Sequence, residues 1–180
     1  MNRLIVAMLA GVVGAAFAGC ATAGSTAGEP SCAMIRTEHS AFGDSRGFPL
    51  RVDWRGFTSV TIRETQHRQF LDVVLASTGD VRVSVKAGTR GSFVVGGRIV
   101  TLATNKDAIA VPNARDQMVF TQWRLQFPLN TRMATRLASE NLVAVRVPVG
   151  ADEIELALKP KQSDQFREAV SCLNPTDEDG

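Results

Sequence analysis

The sequence predicts a mainly β (α+β) fold, either an antiparallel β-sandwich or a single curled sheet of about eight strands, with two short helices in the C-terminal half. Three observations support this prediction. Apolar and polar residues alternate from Leu50 onward, which is typical of strands with one buried face. Short turns separate the alternating runs and favour antiparallel pairing. Helical spacing of apolar residues marks two late segments.

The size and composition of the chain indicate one globular domain. The sequence has 180 residues, of which 44% are hydrophobic and 21% are charged. This composition excludes disorder throughout the chain. The net charge of +2 argues against a nucleic-acid binder that relies on bulk positive charge, so we expect no nucleic-acid partner.

Most strands are predicted from runs in which apolar residues alternate with polar ones. Residues 70–76 form a more continuous apolar run, which we interpret as a central strand. The pair Gly79-Asp80 marks the turn after this strand. The alternating runs are 50–55, 59–63, 81–86, 143–147 and 153–158.

A hairpin and a long strand are predicted in the middle of the chain. The pair Gly96-Gly97 predicts a two-residue hairpin turn, because both positions tolerate positive φ. Residues 118–127 form a long strand whose alternation changes phase near Thr121. A bulge, or burial on both faces, would explain the change of phase. The intervening residues 105–116 are predicted to be a loop.

Two helices are predicted in the last third of the chain. The first covers 131–139 and follows a cap at Asn130 or Thr131. The second is expected to begin with Ser163 as its cap and to end before Pro175. The buried faces would consist of Met133, Ala134 and Leu137 in the first helix and of Phe166, Ala169, Val170 and Leu173 in the second.

Residues 1–19 have the features of a signal peptide. One arginine precedes the uncharged apolar stretch 4–18, which is too short to span a bilayer. The motif FAGC at 17–20 resembles the lipobox of bacterial lipoproteins, in which the cysteine becomes the acylated first residue of the mature protein. Ordinary cleavage after Ala18, or retention of the segment as an anchor, are the alternatives.

The resemblance implies a protein of the bacterial cell envelope that is held to a membrane by palmitate-type acyl chains on Cys20. Ala21 follows the cysteine, at a position where inner-membrane lipoproteins often carry Asp, so the resemblance favours the outer membrane facing the periplasm. Residues 20–31 are small and polar and are expected to form a flexible tether. A single β-rich domain would then cover 32–175, followed by an acidic tail at 176–180.

The three cysteines suggest one lipid anchor and one disulfide. If Cys20 carries lipid, Cys32 and Cys172 remain as a pair that would form a disulfide in an oxidising compartment. Two unpaired thiols, or a metal site with His39 and His67, are the alternatives. The sequence has none of the ligand spacings that preorganise a metal, so no metal or cofactor is expected.

The sequence contains no recognisable catalytic motif. The nucleophile elbow, the SxxK motif, the P-loop and the dinucleotide-binding glycine pattern are all missing. We therefore expect a non-enzymatic binding or structural module, with Trp54 and Trp123 in its core. The alternative is a small periplasmic enzyme or ligand carrier, which would have a concavity lined by Trp123 or His67.

Basic side chains occupy many outward positions of the predicted strands. If the strands share one sheet, these side chains form a basic face that would bind lipid phosphates, lipopolysaccharide, an acidic glycan or an acidic protein. An ordinary solvated surface, neutralised locally by Asp53, Glu64 and Asp72, is the alternative. The predicted face consists of Arg51, Arg55, Arg63, Arg82, Lys86, Arg124 and Arg146.

Overall fold

Ten strands and two helices make up the part of the chain that the computed structural model describes, residues 32–39, 43–53, 55–66, 68–115 and 118–174. The strands form two antiparallel sheets, which confirms the mainly β prediction. In chain order, after a 3₁₀ turn at Cys32–Met34, the elements are β1 (Arg36–Glu38), β2 (Ser45–Arg51), β3 (Ser59–Thr65), β4 (Arg68–Thr78), β5 (Arg90–Val95), β6 (Arg98–Ala103), β7 (Val111–Arg115), β8 (Met118–Leu129), α1 (Thr131–Ser139), β9 (Leu142–Val149), β10 (Asp152–Ala157) and α2 (Pro160–Leu173).

The two sheets bury their apolar faces in a common core. The larger sheet has the spatial order β1-β2-β3-β4-β8-β7, and the smaller sheet has the order β10-β9-β5-β6. Phe93 of the smaller sheet meets Phe127 of the larger sheet edge to face, with ring centroids 4.9 Å apart. Helix α2 packs against β2, β3 and β9, so it contacts both sheets and contributes Phe166 to the core.

The predicted hairpin and the first helix are confirmed. Gly96 and Gly97 connect β5 to β6 with φ angles of 55° and 73°, the left-handed region that a two-residue turn of this kind requires. Helix α1 has its N-cap at Asn130, whose side-chain oxygen accepts a hydrogen bond of 2.8 Å from the backbone N–H of Met133.

The second helix begins earlier than predicted. Pro160 occupies its first position, where the missing N–H costs nothing because that group has no partner inside the helix. Ser163 is therefore not the cap. It lies buried within α2, and its hydroxyl donates a 2.7 Å hydrogen bond to the carbonyl of Leu142. The predicted buried face of α2, ending at Leu173, is confirmed.

Two segments differ from the strand predictions. Residues 81–86 alternate in sequence, but they form a single bridge between Val85 and Ala108 instead of a strand. Side chains of β8 bond to the backbone of this segment: Thr121 accepts from the N–H of Val81, and Trp123 donates to the carbonyl of Val83. Val111–Arg115, within the predicted loop 105–116, form the strand β7. Pro112, which has no N–H to donate, is tolerated there because β7 lies at the edge of the sheet.

Burial on both faces explains the change of phase in β8. Phe120 and Thr121 are both buried, although adjacent side chains of a strand point to opposite faces. Phe120 stacks on Phe57 at 4.1 Å, while the Thr121 hydroxyl accepts from the N–H of Val81 and donates to the carbonyl of Gly79. The register of β8 with β4 runs without a shift, so no bulge is involved.

A disulfide joins Cys32 to Cys172, as predicted. It connects the 3₁₀ turn at the start of the described chain to the last turn of α2. No helix in the described part of the chain is long and apolar enough to cross a membrane. The predicted signal peptide, Cys20 with its tether, Trp54, His67 and the acidic tail all lie outside the described residues.

Candidate functional site

A groove of about 520 Å³ lies on the face of the larger sheet that points away from the core. We call it the cationic groove. Strands β3, β4 and β8 form its floor, and one loop rises on each side of it. Gly56 lines it on one side and Lys106 on the other. The side chains on its floor include Ser59, Thr61, Arg63, Asp72, Val74, Gln122, Arg124 and Gln126.

The floor is set by the pairing of three strands. Thr61 of β3 lies opposite Asp72 of β4, which lies opposite Gln126 of β8. Val74 of β4 lies opposite Arg124 in the next row. Paired residues of an antiparallel sheet project to the same face, so these rows present their side chains together.

The loop at 52–58 forms one side of the groove, and Asp53 holds it in shape. The Asp53 carboxylate accepts hydrogen bonds from the N–H of Phe57 at 3.0 Å, from the N–H of Thr58 and from the Thr58 hydroxyl at 2.5 Å. The side chain of Gln122 donates to the carbonyl of Phe57 at 2.7 Å and ties the loop to β8.

The loop between β6 and β7 forms the other side. Asn105 donates to Gln126 twice, from its backbone N–H to the carbonyl and from its side chain to the side-chain oxygen, each at 3.1 Å. Asp107 accepts from the N–H of Ala87 at 2.8 Å. These bonds fix the residues on both sides of Lys106, which itself lines the groove.

The groove has a positive charge that its own residues do not balance. Arg63 donates to one Asp72 oxygen at 2.7 Å, and Gln126 donates to the other at 3.0 Å. Both oxygens of this carboxylate therefore already accept a hydrogen bond. Lys106 and Arg124 are exposed, and their side chains make no ion pair or hydrogen bond with any described residue. Three cations and one carboxylate line the groove, which gives it a net charge of +2.

Three residues of the predicted basic face share the outer face of the larger sheet. Arg51 on β2 lies in the same cross-strand row as Ser59, Val74 and Arg124. Arg63 lies on β3, four residues after Ser59, so its side chain projects to the same face. Arg51 is exposed and has no ion-pair partner among the described residues.

The other predicted residues do not join them. Arg55 lies in the 52–58 loop, with its Nη1 3.2 Å from the sulfur of Met118. Arg82 and Lys86 lie in the irregular segment after β4, where they pair with Asp80 at 3.0 Å and Asp107 at 3.2 Å.

The prediction of one shared face is wrong for Arg146. This residue lies on β9, which belongs to the smaller sheet. Glu155 lies 2.6 Å from its guanidinium and Glu153 lies 3.9 Å away. The hydrogen bond that Arg146 donates to Glu155 contributes most to raising the Arg146 pKa above its usual value. Sequence analysis also missed Lys106, which lies in a loop without any outward-inward alternation.

No protein-family model, curated protein or solved structure matches this chain. The side chains of the grooves are therefore the basis for assigning a function. Among the described residues, no three His, Cys, Asp or Glu side chains come together as metal ligands.

A larger groove, of about 880 Å³, lies between α1 and the ends of β4 and β8. Its described lining includes Phe70, Leu129 and Thr135, with Glu64 and Arg68 as the charged side chains. It contains no described histidine or cysteine. Trp123 lines neither groove, because its side chain is fully buried, as predicted for a core residue.

The loop beside the cationic groove is expected to depend on the charge of Asp53. Burial raises the pKa of the Asp53 carboxyl, but hydrogen bonds from the Thr58 hydroxyl and from the amides of Phe57 and Thr58 outweigh burial, so the pKa lies below its ordinary value. The stabilisation of this loop by the Asp53 carboxylate is therefore complete above about pH 4, the pKa of Asp in the unfolded chain. It is lost as the pH falls through the lowered pKa of Asp53 in the folded protein.

Amide hydrogen exchange can test this expectation. Asp53→Asn should speed the exchange of the Phe57 and Thr58 amides about ten-fold, because a charge-assisted hydrogen bond is lost. Asp80→Asn is the matched control, since Asp80 pairs with Arg82 outside this loop. Equal exchange at Phe57 in both variants would show that Asp53 does not order the loop.

Proposed function

We propose that this protein is a lipid-anchored component of the bacterial envelope and that its β-rich domain binds anionic, hydroxyl-bearing material in the cationic groove, without catalysis. One observation carries the binding proposal. Arg124 on the floor of the groove and Lys106 at its side are unpaired cations, and the remaining lining includes the hydroxyl and amide groups of Ser59, Thr61, Gln122 and Gln126.

The groups in the groove suit a phosphate or carboxylate that is attached to a sugar. An arginine guanidinium offers a planar fork of donors that matches such anions, and lysine adds a flexible point charge. The hydroxyls of Ser59 and Thr61 line the groove and make no side-chain hydrogen bond within the described chain, so they remain available to sugar hydroxyls.

The proposed location rests on the N-terminal sequence and on the disulfide. The motif at 17–20 resembles a lipobox, and acylation at Cys20 with two or more chains would anchor the protein stably. The disulfide between Cys32 and Cys172 is typical of an oxidising compartment such as the periplasm. A tether over 20–31 would then hold the domain close to the membrane.

A soluble anionic saccharide tests the binding proposal without interference from the apolar N-terminal segment. The probe is the phosphorylated oligosaccharide that remains when lipopolysaccharide is completely deacylated. We expect calorimetry to show binding that weakens as salt is added. Replacing Lys106 and Arg124 by Gln should weaken binding about ten-fold for each cation removed, because each charge-assisted hydrogen bond is lost.

The matched control is Arg98→Gln. Arg98 is also exposed and has no partner among the described residues, but it lies on β6 of the smaller sheet. It should bind the oligosaccharide as the parent protein does. If the Lys106→Gln/Arg124→Gln double variant bound equally well, the cationic groove would not be the binding site.

The second candidate function is carriage of a small ligand in the larger groove. The groove's volume of about 880 Å³ lies within the range of small-molecule sites, and its lining combines apolar side chains such as Phe70 and Leu129 with amides and hydroxyls. This candidate would gain support if the oligosaccharide did not bind to the parent protein.

A further inference from the structure

Two aliphatic side chains are exposed at the β7 edge of the larger sheet. Ile109 exposes 71% of its surface and Val111 exposes 49%. Exposed aliphatic surface is costly in water, so two such residues close together favour a partner that removes them from it. The charged side chains near these two residues indicate the chemistry of that partner.

Val111 borders the cationic groove, and Ile109 follows a lining residue, Lys106, by three positions in the chain. Val111 on β7 lies directly opposite Gln122 on β8, and Gln122 lines the groove. Ile109 belongs to the loop that carries Lys106. The surface therefore combines the exposed aliphatic side chains of Ile109 and Val111 with the unpaired cations Lys106 and Arg124. We call these four residues the amphipathic edge.

The smaller sheet provides an internal comparison. Ile99 on β6 is as exposed as Ile109, at 73%, and it points outward from that sheet because it pairs with Val94. On this sheet Arg146 is held between Glu153 and Glu155, while Arg90 and Arg98 are exposed and have no ion pair among the described residues. Exposed aliphatic surface and unpaired cations thus occur on both sheets, but on the larger sheet the cations Lys106 and Arg124 lie in a groove that Val111 borders.

We infer that the amphipathic edge docks on the surface of an anionic lipid bilayer, with Ile109 and Val111 in the headgroup region and Lys106 and Arg124 against lipid phosphates. Proteins that lie on a membrane combine these two contributions, since apolar side chains enter the interface while basic ones are attracted by anionic headgroups. The inference rests on the proposed function, because it takes the phosphate of a lipid headgroup as the anion.

The path of the chain is compatible with this orientation. The described domain starts beside β1, which lies at the opposite edge of the larger sheet from β7. Five strand spacings separate the two edges, about 24 Å. The predicted tether over 20–31 would reach about 40 Å when fully extended, so acyl chains on Cys20 and the amphipathic edge could reach the same bilayer.

The test uses a polarity-sensitive fluorophore attached to a single thiol. The full chain carries Cys20→Ser, so that the added cysteine is the single free thiol beside the Cys32–Cys172 disulfide. Ile109→Cys is compared with Ile99→Cys, which has the same exposure on the other sheet. Each labelled protein is mixed with vesicles of phosphatidylcholine, with or without phosphatidylglycerol.

We expect a blue shift and a several-fold rise in emission at position 109 with phosphatidylglycerol vesicles, and neither change at position 99. Adding the Lys106→Gln/Arg124→Gln changes should abolish the shift at 109. A shift at 109 that grows with protein concentration in the absence of vesicles would identify a second copy of the chain as the occupant and would overturn the inference.

Two further results would also overturn it. An unchanged emission at 109, from a protein that still binds the deacylated oligosaccharide through Lys106 and Arg124, would reject membrane docking while leaving the proposed function in place. Equal shifts at 99 and 109 would show that the protein meets the bilayer without a preferred face. Loss of oligosaccharide binding is a separate outcome, which bears on the cationic groove itself.

Discussion

Removing the disulfide between Cys32 and Cys172 is expected to lower the free energy of unfolding by about 5 kcal/mol. The two cysteines are 140 residues apart in sequence, so the bond closes a very long loop. Such a bond restricts the unfolded chain strongly, and the loss of stability on its removal grows with loop length. The bond also joins the last turn of α2 to the start of the sheet.

Urea unfolding of a Cys32→Ala/Cys172→Ala double variant measures this effect. The control is Cys20→Ser, because Cys20 is not part of the bond. We expect the control to unfold with the parent protein and the double variant to unfold at much lower urea concentration. A loss below about 2 kcal/mol would indicate that packing of α2, and not the restriction of the unfolded chain, dominates at this end of the domain.

The features that sequence analysis predicted correctly depend on local chemistry. Asn130 accepts from the N–H three residues ahead of it, and this contact needs no information from the rest of the fold. Gly96 and Gly97 likewise supply the positive φ values of the hairpin by themselves. Alternation along β3 and β9 follows from having one buried face, so it is visible in the sequence alone.

The features that sequence analysis missed depend on distant side chains. Residues 81–86 have the pattern of a strand, but Thr121 and Trp123 satisfy backbone groups of Val81 and Val83 that a neighbouring strand would otherwise pair. Pro112 suggested a loop, and the edge position of β7 makes it acceptable in a strand. Neither fact can be known before the strand order is known.

The candidate site was predictable only in part for the same reason. Outward alternation correctly indicated that Arg63 and Arg124 leave the core, but only strand order separates them from Arg146. Lys106 had no signal in the sequence, since two hydrogen bonds between Asn105 and Gln126 bring its loop to the groove. A binding site that combines strand and loop residues is therefore defined by the tertiary structure.

The second large effect is expected at Trp123, where substitution by Ala should cost about 4 kcal/mol of stability. Trp123 is fully buried on the core face of β8, and it has the largest volume of the fully buried side chains in the described part of the chain. Its indole N–H donates a 2.6 Å hydrogen bond to the carbonyl of Val83 and thereby holds the irregular segment that covers this end of the core. Truncation to Ala removes both the ring volume and this bond.

Trp123→Phe separates the two contributions. Phe keeps most of the ring volume but cannot donate to the Val83 carbonyl, so we expect a smaller loss, about 2 kcal/mol, from the unsatisfied carbonyl and a small void. Urea unfolding gives both values. Equal losses for the Phe and Ala variants would mean that the hydrogen bond, and not the volume of the ring, determines stability here. Both variants leave Arg124 on the opposite face of β8, so oligosaccharide binding by Trp123→Phe should match that of the parent protein as long as the domain stays folded.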